Sequence, residues 1–144
     1  MIAPIAIEQP TESDIDVIHP LLTQAYWSPG IPREVAARAC ANSICAIARD
    51  ETGKLIGFAR LVTDKATFAW LCDVIVLPGR QGRGLGRALV RAFREHPDLQ
   101  GLRRWLLGTK DAHGVYAPLG FTPLDEPDRF MQIRNRAPYG KTAA

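Results

Sequence analysis

The chain has 144 residues, enough for one domain around one hydrophobic core. Its net charge of +3, with 47% apolar and 23% charged residues, is that of an ordinary globular protein, and no apolar run approaches the roughly 18 residues of a membrane-spanning helix. Met1–Pro10 lacks the basic start and apolar stretch of a secretory signal, so a cytoplasmic location is expected, and Cys40, Cys45 and Cys72 form no CxxC pair and read as small buried residues, with no metal site.

The pattern from Ile2 to Ile7 predicts a first strand. Thr11 or Ser13 can cap a helix over Asp14 to Ala25, with Ile15, Ile18, Leu21, Leu22 and Ala25 at helical spacing and Pro20 as a point of splitting or kinking. Trp27-Ser28-Pro29-Gly30 reads as a turn, after which Pro32 opens a second helix running to about Asn42. The period then changes. Ser43 to Arg49, Leu55 to Val62 and Ala66 to Leu77 predict three strands in an antiparallel meander, with Asp50 to Gly53 as the first turn.

Gly79 to Gly86 forms a glycine-rich turn into a helix that ends near His96. Leu85, Ala88, Leu89, Ala92 and Phe93 supply its apolar stripe, opposite Arg87, Arg91 and Arg94. Arg103 to Leu107 predicts another strand and Ala112 to Leu119 a short helix. Phe121 and Phe130 to Ile133 are the last strand candidates. The expected architecture is α/β (α+β): a mixed, mostly antiparallel sheet of six to seven strands with helices on both faces. Residues 1–135 form the single domain, and residues 136–144 form a disordered tail.

Chemistry concentrates in the segment from Val74 to Leu89, a strand, a glycine-rich turn and a helix start. Such a turn exposes backbone N–H groups, and the helix dipole adds positive potential, which suits a diphosphate. Neighbouring Arg80, Arg83 and Arg87 point the same way. The dinucleotide fingerprint fails, because glycine is needed at 87 or 89 and the chain has Arg87 and Leu89. The Walker pattern fits Gly79 and Gly84 but then meets Leu85-Gly86 in place of Lys-Ser or Lys-Thr. No basic, aromatic-rich strand of the kind that stacks bases is present, which argues against nucleic acid.

What fits is Gln81-x-x-Gly84-x-Gly86, followed 35 residues after Gln81 by Tyr116-x-x-x-Gly120-Phe121. In these motifs and their order the chain resembles the GNAT superfamily of N-acetyltransferases. The resemblance implies the GNAT fold with splayed central strands and acetyl-coenzyme A as cosubstrate. It implies that the backbone of Gln81, Gly82, Arg83, Gly84, Leu85, Gly86 and Arg87 binds the coenzyme's diphosphate. A bulged strand at Val74, Ile75 and Val76 would hold the pantetheine arm. The reaction it implies is attack of a neutral amine on the thioester.

By its resemblance to the family's tyrosine on the helix after the splayed strand, Tyr116 is the candidate acid for the departing sulfur, and a phenol pKa near 10 against about 8.5 for a thiol makes the match workable. Asp73, the only charge between Ala66 and Leu77, is the candidate base or amine-recognition group. His113 is a weaker candidate for that task. Tyr26 and Trp27 lie at the helix junction that, by resemblance, lines the acceptor pocket. The asparagine that the family often carries after the next strand is absent, since Lys110, Asp111 and Ala112 stand there. A non-catalytic acyl-coenzyme A module and a protein acetyltransferase stay open as alternatives, and so does a homodimer, since small members of the family often pair.

Overall fold

Thr11 fixes where the first helix begins. Its hydroxyl accepts the N–H of Asp14 at 3.1 Å, and the Asp14 carboxylate accepts the N–H of Thr11 at 2.9 Å, a reciprocal box that satisfies two otherwise orphan donors. The computed structural model describes residues 4–140. Helix α1 (Glu12–Gln24) runs on through Pro20, and α2 (Arg33–Ala41) follows Pro32. Strands β1 (Ile5–Ile7), β2 (Ile44–Arg49), β3 (Leu55–Thr63), β4 (Phe68–Val76) and β5 (Arg104–Leu106) form one sheet in chain order. The first three pairings are antiparallel and β4–β5 is parallel. Helix α3 (Leu85–Arg94) follows the glycine turn. The short α4 (His113–Tyr116) passes into a 3₁₀ turn at Ala117–Leu119, where Pro118 prevents a longer helix.

The sheet has five strands among the described residues, fewer than the six to seven expected. Phe121 and Phe130–Ile133 are not strands. Residues 122–138 are exposed throughout, and their backbone bonds are local, so the β-prone side chains there meet no partner edge. Ile2 and Ala3 of the expected first strand, and residues 141–144 of the expected tail, lie outside the described residues.

Each sheet face buries its own cluster. On one, Leu85, Leu89, Val90 and Phe93 of α3 pack on Ala46, Ala59, Leu61, Ala69 and Leu71. Gly57 permits the close seat of this helix, because a Cβ there would lie 3.1 Å from Leu85 Cδ2 and 3.3 Å from Leu89 Cδ1. On the other face, Ile18, Leu22, Ala36 and Cys40 cover Cys45, Ile47, Leu55, Phe58 and Ile75. Burying each of the larger of these side chains contributes about 1.5–3 kcal/mol.

Two irregularities in β4 shape the site. Phe58 pairs with Ile75 but Arg60 pairs with Cys72, so β4 carries an extra residue, and Asp73 sits there at φ +51. Strict alternation from Leu71 would send residue 75 to the α3 face. The bulge instead sends Val74 and Val76 there and Ile75 to the α1 face. Strand β5 pairs only with Phe68, Ala69 and Trp70 and then ends, so from Leu71 onward β4 has no strand partner on that side.

Candidate active site

The turn after β4 is built from main chain. Gly79, Gly82 and Gly84 have φ of +86, +78 and +78, and nothing lies within 4 Å of where a Cβ would sit on Gly79 or Gly82. Gly84 is the N-cap of α3, with no side-chain cap and no acid in the first turn. The backbone N–H groups of residues 81–87 have no hydrogen-bond acceptor among the described residues, while Ala88 is the first to bond back, to Gly84 O. A run of unpaired donors at a helix N-terminus fits an anionic diphosphate on geometry alone. Arg83 and Arg87 are exposed beside it, whereas the Leu85 side chain is buried and leaves only its N–H to the turn.

Gln81 ties the turn to the strand, its Nε2 donating to Val76 O at 3.1 Å. Because the Leu77 N–H bonds to Ile56 O on β3, the alternating backbone of Val76 points to the open side of β4. The side chains of Val74 and Val76 lie 3.9 Å from where a Gly86 Cβ would be. Strand end and helix start therefore pack directly together.

Asp73 does not face open space. Its Oδ1 accepts the Trp27 indole N–H at 2.8 Å, and its Oδ2 accepts Arg60 Nε–H at 2.8 Å. The Arg60–Asp73 side chains are 17% and 14% exposed, and Arg60 Nη1 reaches on to Ser43 Oγ at 3.0 Å. Burial opposes the charge on Arg60, but Asp73 outweighs it and holds the guanidinium pKa above its ordinary value. Sequence reading missed Arg60. The signal was present, since Arg60 is the only charge between Leu55 and Val62, as Asp73 is in its own strand.

Tyr26 bridges the gap where β5 has ended. Its hydroxyl accepts the Lys110 backbone N–H at 2.9 Å, and the Lys110 Nζ lies 5.5 Å from its ring centroid. Tyr26 and Trp27 meet edge to face at 5.0 Å, and Trp27 remains 42% exposed. Trp70, three residues before Asp73 on β4, is 49% exposed. The bridge to Lys110 was also missed in the sequence, because it joins residues 84 positions apart through a main-chain donor.

Tyr116 is half-buried, edge to face with Phe121 at 6.1 Å. Burial first, and then neighbouring Tyr26, push its phenol above the ordinary value. Arg87 Nη2 reaches Gly114 O at 3.4 Å and links α3 to the helix carrying this tyrosine. His113 is exposed at the start of α4. Burial pushes the Cys72 thiol up to about 11, which keeps it protonated and poorly nucleophilic. Among the described residues, no three His, Cys, Asp or Glu side chains gather as metal ligands, and no helix is long and apolar enough to cross a membrane.

The model of the Acetyltransferase (GNAT) family matches residues 11–121. A protein of Gibberella zeae named as an acetyltransferase is 30% identical over 124 residues, covering 71% of this chain and 69% of its own length. A protein from Xanthomonas campestris pv. campestris, whose crystal structure was assigned to GNAT acetyltransferases, is 40% identical. It superposes with a TM-score of 0.89 over 98% of this chain and 100% of its own. N-acetylglutamate synthase from Neisseria gonorrhoeae, solved with coenzyme A and N-acetyl-glutamate, shares the fold at 21% identity and a TM-score of 0.66, over 85% of this chain and 29% of its own. With the family match running from the capping threonine of α1 to Phe121, and a relative of equal length superposing almost throughout, the chain belongs to the GNAT family of N-acetyltransferases.

Proposed function

We propose that this enzyme acetylates the primary amine of a small molecule with an apolar or aromatic body, by direct attack in a ternary complex with acetyl-coenzyme A. The observation that carries the acceptor reading is Trp27, half-exposed yet pinned through its indole N–H to the bulge residue Asp73. A fixed aromatic wall beside an open strand edge favours an apolar or cationic body over an extended polar one.

When bound, the coenzyme supplies an acetyl thioester already activated toward amines. The chain's own residues supply position and protons. The free N–H groups of Gln81, Gly82, Arg83, Gly84, Leu85, Gly86 and Arg87 bind the diphosphate, assisted by the charges of Arg83 and Arg87. The unpartnered edge at Val74, Ile75 and Val76 receives the pantetheine arm as an added strand. The N–H of Val76, on the side of β4 away from β3, polarises a carbonyl oxygen in this reading. The Tyr116 hydroxyl, held protonated by its surroundings, donates to the departing sulfur. Asp73, with both oxygens engaged, acts as a positioning residue: it holds Trp27 against the acceptor and neutralises Arg60.

Thiol release from acetyl-coenzyme A across a panel of arylalkylamines, polar aliphatic amines and lysine peptides tests this reading. Turnover highest with arylalkylamines is expected. Turnover confined to peptides would replace the small-molecule reading with a protein acetyltransferase. Binding without turnover on any amine would leave a non-catalytic module.

A further inference from the structure

Lys110 is a charge anchored beside the Tyr26–Trp27 wall. It lies in the loop between β5 and α4, where Thr109 makes a turn by accepting the Ala112 N–H on its Oγ1 at 3.1 Å. Two contacts then fix Lys110 to Tyr26. Its backbone N–H donates to the Tyr26 hydroxyl at 2.9 Å, and its Nζ lies 5.5 Å from the centre of the same ring. Tyr26 in turn meets Trp27 edge to face and acts on the phenol of Tyr116. The exposed ammonium is thus held near both the wall and the tyrosine.

The charges around this wall are unequal. Asp73 touches Trp27, but its second oxygen accepts from Arg60, so acid and guanidinium cancel. Lys110 forms no ion pair among the described residues. Asp111 follows it and is exposed, and no ion pair or hydrogen bond among those residues holds its carboxylate toward the wall. The anchored charge is therefore the positive one. An aromatic wall alone admits an apolar or a cationic body. A fixed ammonium beside it repels a second cation and attracts an anion.

We infer that Lys110 sets the specificity of the acceptor site, and that the acceptor is an amine carrying a carboxylate, of the aromatic amino-acid class, with the carboxylate paired to the Lys110 ammonium. This rests on the acceptor lying against Trp27, as proposed above. In such a molecule the amine, the carboxylate and the arm bearing the ring branch from one carbon. One pose can therefore present them to the thioester, to Lys110 and to Trp27. The anchor to Tyr26 is a main-chain N–H, so exchanging the Lys110 side chain leaves it in place.

Steady-state kinetics at saturating acetyl-coenzyme A compares each aromatic amino acid with its carboxylate-free counterpart: phenylalanine with phenylethylamine, tyrosine with tyramine, tryptophan with tryptamine. In wild type, kcat/KM should be higher for the amino acid of each pair. Lys110→Ala should lower the ratio within each pair about 5-fold, through KM, and Lys110→Arg should keep it. A general loss of activity cancels in this ratio. A ratio unchanged in Lys110→Ala, or a wild-type preference for the carboxylate-free member, would overturn the proposal. Weaker coenzyme A binding by calorimetry, at an unchanged ratio, would give Lys110 to the coenzyme instead. If none of these amines is acetylated, the small-molecule reading falls on its own, and calorimetry of N-acetyltryptophan on the coenzyme A-bound enzyme still reads Lys110. Binding about 5-fold weaker in Lys110→Ala is expected there. Equal binding, or binding to neither, overturns the assignment.

Discussion

The indole Nε1–H of Trp27 donates to Oδ1 of Asp73 at 2.8 Å, across 46 residues of chain. The bulge at Asp73 and the turn between α1 and α2 are thereby one unit, locked from beneath by Arg60. Asp73→Ala should strand the buried Arg60 charge and cost about 3 kcal/mol of stability. In the folded fraction KM for the amine should rise about 10-fold, as Trp27 loosens, with coenzyme affinity unchanged. Asp73→Asn keeps an oxygen for Trp27 and should keep the acidic limb of the pH–rate profile. Loss of that limb in steady-state kinetics would make Asp73 a base.

Tyr116→Phe removes one hydroxyl and leaves the edge-to-face contact with Phe121. A fall in kcat of about 100-fold is expected, with the dissociation constant of coenzyme A unchanged by calorimetry. The sign of the pH effect follows from the raised phenol. A group whose pKa is raised keeps its proton to higher pH, so the alkaline limb due to Tyr116 should fall above about 10 and vanish in the phenylalanine variant.

Gly84→Glu places a side chain at φ +78, costing about 1–2 kcal/mol, and brings a carboxylate to the mouth of the open N–H groups. Coenzyme affinity should fall by at least about 100-fold. Equal affinity in calorimetry would remove the diphosphate from this turn.

Asp14 joins two devices, the cap of α1 and a double hydrogen bond from Arg49 at 2.8 and 2.7 Å, while being only 4% exposed. The Arg49 hydrogen bond, working against burial, lowers its pKa below the ordinary value. A carboxylate with a depressed folded pKa contributes stability above its unfolded value of about 3.9 and loses it as pH falls through the lower folded value. Asp14→Ala should therefore cost about 3 kcal/mol at neutral pH, a gap that narrows in urea melts below pH 4.

Most of the fold was legible because local signals and tertiary partners agree. The meander from Ile44 to Val76 and helix α3 stand within two residues of their sequence limits. Phe130–Ile133 read as a strand on propensity, yet pairing needs an edge, which no local pattern supplies. The glycine turn was legible from its residue types, since positive φ selects glycine. The locks on Trp27 and Tyr26 were not. Arg60 and the Lys110 amide become neighbours only after the sheet and the two-helix layer have assembled.

The bare backbone at Gly57 lets Leu85 and Leu89 rest on the sheet, and Leu85 begins the helix whose first turn carries the open amides. A methyl group added at 57 would press on the side chains of Leu85 and Leu89, which would have to give by a few tenths of an ångström. Whatever part of that shift passes to the backbone of Leu85 moves the donors of the first turn with it. A substitution on a β3 residue that makes no contact with the coenzyme would thus be felt first as weaker grip on it.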